Sequence, residues 1–148
     1  MKKRIVFLVA SILFSVAAFS ADKVIPFEKL PQNAQEFTRK YFSADDPMYK
    51  HAYVTYDSEF FDSSYTVVFT NGDGIEFNKE GEWKDFDCQY CTVPEEIVPE
   101  SIKTYVSVNM AGQQIKKIEK NRTSYEIELS GGLELKFDLT GKLIELDD

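Results

Sequence analysis

Apolar and polar residues alternate most cleanly near the end of the chain. Tyr125, Ile127 and Leu129 take one side of a strand, and Glu126, Glu128 and Ser130 take the other. Leu133, Leu135 and Phe137 then return against Glu134, Lys136 and Asp138. A period of two with one apolar side predicts antiparallel strands with one buried and one wet face. The same pattern occurs earlier, in Tyr65, Val67 and Phe69, then Ile75 and Phe77 beyond the turn Asn71-Gly72-Asp73-Gly74. Turns at Lys79-Glu80-Gly81-Glu82 and at Gly141 lead into further strands, Trp83 to Phe86 and Leu143 to Leu146. Two stretches carry a helical spacing instead. Ala34, Phe37 and Tyr41 follow Pro31, and Ile102, Tyr105, Val106 and Asn109 follow Pro99. Proline suits a first helical position, where its missing N–H would have no partner anyway. Met48 to Tyr56 and Ile115 to Lys120 read as strands, Asp57 to Ser63 as a loop, and Asp22 to Phe27 as an extended leader.

These elements occur twice in the same order. Ser64 to Gly72 aligns with Ser124 to Gly132 at an offset of 60, and Phe77, Gly81, Trp83 and Phe86 then fall on Phe137, Gly141, Leu143 and Leu146. Leu30-Pro31 aligns with Val98-Pro99 at an offset of 68, so the first copy is longer by eight residues between helix and strands. The predicted fold class is α+β, with two tandem αββββ repeats, each a helix on an antiparallel sheet. A unit of about 60 residues buries little surface alone, so the copies should pack together or extend one another's sheets.

The start of the chain changes the picture of where it works. Lys2, Lys3 and Arg4 precede a short apolar run from Ile5 to Ala18, and Ala18 and Ser20 suit a cleavage site. Residues 1–20 are therefore expected to be a signal peptide, 21–91 the first repeat and 92–148 the second. No cysteine marks a lipid attachment there, which predicts a periplasmic or secreted protein that does not span the membrane after processing. Removing the three basic residues takes the net charge from −8 to −11. Such a charge excludes nucleic acid and favours cations and basic protein partners.

The repeated phrase resembles the PepSY-like, beta-lactamase-inhibitor-like family of secreted bacterial proteins. Tyr65 to Asp87, with Gly81-Glu82-Trp83-Lys84 the most telling piece, and Tyr125 to Asp147 carry the resemblance. Val93-Pro94 through Val98-Pro99 also fits. The resemblance implies a tandem αββββ fold, export, no catalytic machinery, and a role in protein binding or inhibition. No inhibitory residue can be matched onto this chain.

Three local features offer chemistry. Cys88-Gln89-Tyr90-Cys91 in an exported protein suggests a structural disulfide. A redox pair is the alternative, but that chemistry wants a helix N-terminus, and Thr92-Val93-Pro94 follows here. Zinc lacks ligands, since His51 is the sole histidine and lies far away in sequence. Second, aromatics crowd the first copy. Tyr49, Tyr53, Tyr56, Phe60 and Phe61, punctuated by Asp57 and Asp62, are not absorbed by the core periodicity and form a candidate contact surface. The same residues could instead complete the core or the seam between copies. Third, Asp45-Asp46, Asp57/Glu59/Asp62, Glu95-Glu96 and Asp147-Asp148 form acidic clusters, none with the twelve-residue spacing of a calcium loop, and they read as solvated charge. No G-x-S-x-G occurs, and His51 has no placeable catalytic partner. The expected function is a non-catalytic binding module, inhibitory in some settings, that recognises a protein or peptide without a cofactor or metal. A small thiol/redox protein using Cys88 and Cys91 is the alternative.

Overall fold

A computed structural model describes residues 22–43, 45–59 and 62–147. The segment expected to be a signal peptide, 1–20, lies outside the described residues, as do Phe60 and Phe61. Nine strands form one antiparallel sheet: β1 (Lys23–Ile25), β2 (His51–Glu59), β3 (Asp62–Phe69), β4 (Gly74–Asn78), β5 (Trp83–Asp87), β6 (Ile115–Lys120), β7 (Ser124–Leu129), β8 (Glu134–Asp138) and β9 (Leu143–Asp147). Each strand pairs with the next in sequence, from β1 at one edge to β9 at the other. The β5–β6 ladder makes the sheet continuous, pairing Asp85 with Glu119, Phe86 with Ile118 and Asp87 with Lys117.

Two helices, α1 (Gln32–Tyr41) and α2 (Glu100–Asn109), complete the α+β fold. Each begins directly after a proline, Pro31 or Pro99, one position later than the spacing predicts. Helix α1 buries Ala34 and Thr38, and the Thr38 hydroxyl donates to the Ala34 carbonyl at 2.8 Å. Phe37 sets its ring edge against Phe77 and Phe86, at centroid distances of 5.7 and 6.3 Å. Helix α2 buries Ile102 and Val106 and lays Tyr105 across Phe137 at 5.4 Å. Asn109 departs from the expected apolar stripe. Its amide donates to the Tyr105 carbonyl at 3.0 Å and the residue is exposed.

The core lies between the helices and the strand residues predicted to face inward, among them Val67, Phe69, Ile75, Phe77, Ile127, Leu129, Leu135 and Phe137, and Phe86 and Ile118 join it. Each such large side chain withdraws apolar area worth about 1.5–3 kcal/mol from water. The two α-helices dock on hairpin tips in matching ways. Gly81 (φ +80°) and Gly141 (φ +86°) lie so close to Pro31 and Ser101 that a side chain would collide. The Asn33 amide ties α1 to the Glu80 carbonyl at 2.8 Å.

Two expectations are corrected. The leader carries a short strand, because β2 offers a free edge on which Ile25 pairs with Val54. The stretch from Asp57 to Ser63 is not mainly a loop. Its flanks extend the β2–β3 ladder through Asp57↔Ser64, Ser58↔Ser63 and Glu59↔Asp62.

Candidate binding surface

Strand alternation divides the aromatic group that the sequence places together. Tyr49, in a single 3-10 turn (Pro47–Tyr49), packs against Phe42 at 5.1 Å and Phe69 at 6.4 Å, within the core. Tyr56 lies on the helix side, its ring 5.0 Å from Tyr65 and its hydroxyl donating to Ser63 at 3.3 Å. Tyr53 and Asp57 sit on the opposite, outer face, paired with Val68 and Ser64. Asp62 is exposed, 3.8 Å from the Lys84 ammonium. The described members therefore form no single aromatic patch, although Tyr53, Asp57 and Asp62 share the outer face. His51 stacks on Phe27 at 4.7 Å.

Register builds a different surface. Following the pairs across the sheet, Glu76, Asp85, Glu119, Glu126, Lys136 and Glu145 form one row on the outer face. Asp87, Lys117, Glu128, Glu134 and Asp147 form the adjacent row. Directly paired residues on one face approach to about 5 Å, so these acids feel one another. Lysines offset part of the charge: Lys84 reaches Glu76 at 3.4 Å, Lys117 reaches Asp85 at 3.5 Å, and Lys136 reaches Glu126 at 2.7 Å. Carboxylates remain in excess, and the electrostatics record it. Burial pushes the Asp85 carboxyl up to about 6, opposed by Lys117 and reinforced by Glu119, Asp87 and Glu76. Asp85 Oδ1 is covered and has no hydrogen-bond partner. Burial also raises Asp87, and raises Glu134 together with Glu128 and Asp147. Burial draws the Lys117 ammonium down, but Asp85, Asp87 and Glu119 outweigh it and hold the group above its ordinary value.

Cys88 and Cys91 form a disulfide with a Cα–Cα distance of 4.9 Å. Cys88 is fully buried, and Asp73, also buried, organises the loop between them. Its Oδ1 accepts the N–H groups of Gln89 and Tyr90 at 2.8 and 3.2 Å, while Oδ2 accepts from the Asn71 amide at 3.0 Å. The Lys116 ammonium donates to the Cys91 carbonyl at 2.6 Å. This loop follows β5 and opens no α-helix, so nothing in it supports the redox alternative. Asp73 lies close enough to both sulfurs to share a metal, but the sulfurs are bonded to each other and are not free thiolates. Sequence reasoning read Asp73 only as a turn residue. The available signal was its alignment with Leu133, which puts an acid where the pattern asks for an apolar side chain. A cleft of about 450 Å³ runs along the segment 92–98, α2 and Gln113 to Ile115, lined in part by Glu95, Glu100 and Lys103.

The arrangement defines a class: a helix-covered antiparallel meander that presents an acidic sheet face to solvent. The chain belongs to the PepSY-like family, described as "Putative beta-lactamase-inhibitor-like, PepSY-like", whose sequence profile matches residues 63–145. Three solved structures are similar. A "putative periplasmic protein" of the DUF2874 family from Bacteroides vulgatus is 40% identical with a TM-score of 0.81, covering 88% of this chain and 100% of that one. A "putative calcium-regulated periplasmic protein" from Bacteroides thetaiotaomicron is 40% identical with a TM-score of 0.79, covering 86% and 97%. A second Bacteroides vulgatus "putative periplasmic protein of unknown function" is 38% identical with a TM-score of 0.78, covering 86% and 100%. None of the curated proteins matches this chain. The neighbours' descriptions support a periplasmic location. No helix among the described residues is long and apolar enough to cross a membrane.

Proposed function

We propose that the chain is an exported, non-catalytic binding module that recognises a basic segment of a partner protein on the outer face of its sheet, and inhibits where that segment is the partner's working part. In this reading residues 1–20 direct export, and 21–91 and 92–148 are tandem repeats that fuse their sheets to widen the face. The observation that carries it is the pair of cross-strand acidic rows from β4 to β9, with Tyr53 and Asp57 at the far end of the same face. The family description supports a protein partner. A rigid sheet presents such groups with little ordering cost on binding.

The test is photo-crosslinking in the periplasm from a probe placed at Glu126, the outer-face neighbour of Glu119, in the otherwise unchanged chain and in the double variant Glu119→Lys/Glu128→Lys. Both positions are half-buried on the outer face, so the melting temperature should move by only a few degrees. Crosslinked partner should fall by about ten-fold or more. Undiminished crosslinking with the fold intact rejects this surface. A second reading, a divalent cation held on the same face, is favoured by the unpartnered Asp85 oxygen between Glu76 and Glu119. One structural neighbour is described as calcium-regulated. Calcium takes six or more oxygens, and carboxylates are its usual ligands. Calorimetry with calcium chloride on the same two proteins separates the readings: heat lost in the double variant supports the cation, and absence of heat in wild type removes it.

A further inference from the structure

The strand pairing also leaves an open edge, apart from the acidic face. β9 stands to β8 as β5 stands to β4. Phe77 pairs with Trp83 and Ile75 with Phe86, while Phe137 pairs with Leu143 and Leu135 with Leu146, and both ladders shift register at the same point. Yet Phe86 is fully buried whereas Leu146 is 48% and Ile144 57% exposed. The difference is the neighbour. β5 is covered along its other side by β6, and the Cys88 N–H reaches the Lys116 carbonyl at 2.7 Å. Alternate residues of an antiparallel strand bond to the same side, so Phe86 also directs its backbone toward β6, and Leu146 directs its own into open space. The corresponding edge of β2 is covered too, by β1, with Ile25 opposite Val54 where Phe86 stands opposite Ile118. Among the described residues the sheet ends in two open edges, the three-residue β1 and the five-residue β9, and β9 is the longer.

We infer that β9 takes an extended, lysine-bearing segment of a partner protein as an added strand. The β5–β6 ladder supplies the chemistry of that segment. An aliphatic residue sits opposite Phe86, and Lys117 sits opposite Asp87 and 3.5 Å from Asp85, where it offsets the single acid–acid pair of the ladder, Asp85↔Glu119. At β9 the matching positions are Leu146, Asp147 and Glu145, and the complement is therefore a basic residue followed by an aliphatic one. A second β9 strand is a poor complement, because it brings Glu145 and Asp147 against the same carboxylates; charged edges of this sort discourage self-pairing. The acidic excess at this end, which together with burial raises the Glu134 carboxyl, points the same way. Strand addition draws affinity from main-chain hydrogen bonds and selectivity from alternate side chains.

The probe is a capped peptide with the sequence of residues 115–120, Ile-Lys-Lys-Ile-Glu-Lys, titrated into the full chain and followed by amide NMR and hydrogen exchange. Amide shifts should concentrate in 143–147, and exchange at Leu146 should slow by about ten-fold at saturation. Leu146→Lys should remove both effects without altering the rest of the spectrum, and a peptide with its first two lysines changed to glutamate should not bind. Three results would overturn the inference: no shifts at millimolar peptide (about the weakest binding worth the name), shifts centred on the outer face without protection at Leu146, or Leu146 protection that appears on raising protein concentration alone, which would make the occupant a second copy. Since Glu119→Lys/Glu128→Lys leaves β9 unchanged, peptide binding that survives in that variant separates this edge from the acidic face.

Discussion

Asp85 shows how a single carboxyl can be held at odds with the fold around it. Its side chain is 27% exposed, its Oδ1 is unbonded, and its proton is held up to about 6, above the ordinary carboxylate value of 3.8. A carboxyl whose folded value is raised binds its proton more tightly when folded. Ionised Asp85 therefore lowers stability, with no penalty below the unfolded value, a rising penalty from about pH 4 to 6, and the full penalty above. Asp85→Asn should stabilise the protein by about 2 kcal/mol at pH 7.5 and by almost nothing at pH 3.5. Urea unfolding at the two pH values reads this directly, and equal gains at both would mean packing, not ionisation, is responsible. Asp73 is buried more deeply, but it has three hydrogen-bond donors around it and belongs to the loop it holds.

At the scale of elements, the contact between a helix start and a hairpin tip sets how each helix lies on the sheet. A Cβ on Gly81 would come within 2.6 Å of Pro31 Cβ, at a φ of +80° that side chains avoid. Gly72 shares the positive φ, at +95°, but faces open space. Gly81→Ala should therefore cost about 2–4 kcal/mol and Gly72→Ala about 1 kcal/mol, measured as shifts in urea midpoint at constant slope. Equal costs would show that the close approach contributes nothing. The elements were legible where alternation runs long enough to be unambiguous. Tyr125, Ile127 and Leu129 face in and Glu126 and Glu128 face out, as their spacing predicts. β1 was not legible, since three residues carry no period and become strand only because β2 presents an edge. The end of β2 was missed because Asp57, Ser58 and Glu59 are poor strand formers that cross-strand pairing overrides. The acidic rows were legible only in fragments. Alternation puts members such as Glu126 and Glu128 on the wet face, but only the register of six strands joins them into rows, and a run such as Glu95-Glu96 lies elsewhere. The division of the aromatic group was not legible either, because it takes the β2–β3 register to send Tyr53 and Tyr56 to opposite faces.

For the whole molecule, the consequence of one sheet is one cooperative unit. Phe86 and Ile118 face each other at the centre, both fully buried, so neither half can leave without exposing the other. Trp83, the single tryptophan, reports on the first half, whereas far-ultraviolet dichroism reports on all nine strands. The two urea transitions should coincide; a tryptophan transition that runs ahead of or behind the dichroism would show that the halves come apart separately. The same meander has a temporal side. Because spatial order repeats chain order, every strand pairs with the strand just before it, at the small entropic cost of closing a short loop except at β2 and β6, whose connections also carry α1 and α2. A polypeptide threaded through a narrow pore with its amino terminus leading could thus knit its sheet row by row. It would never have to wait for a distant stretch to arrive, and the unfinished margin would always be the most recent arrival.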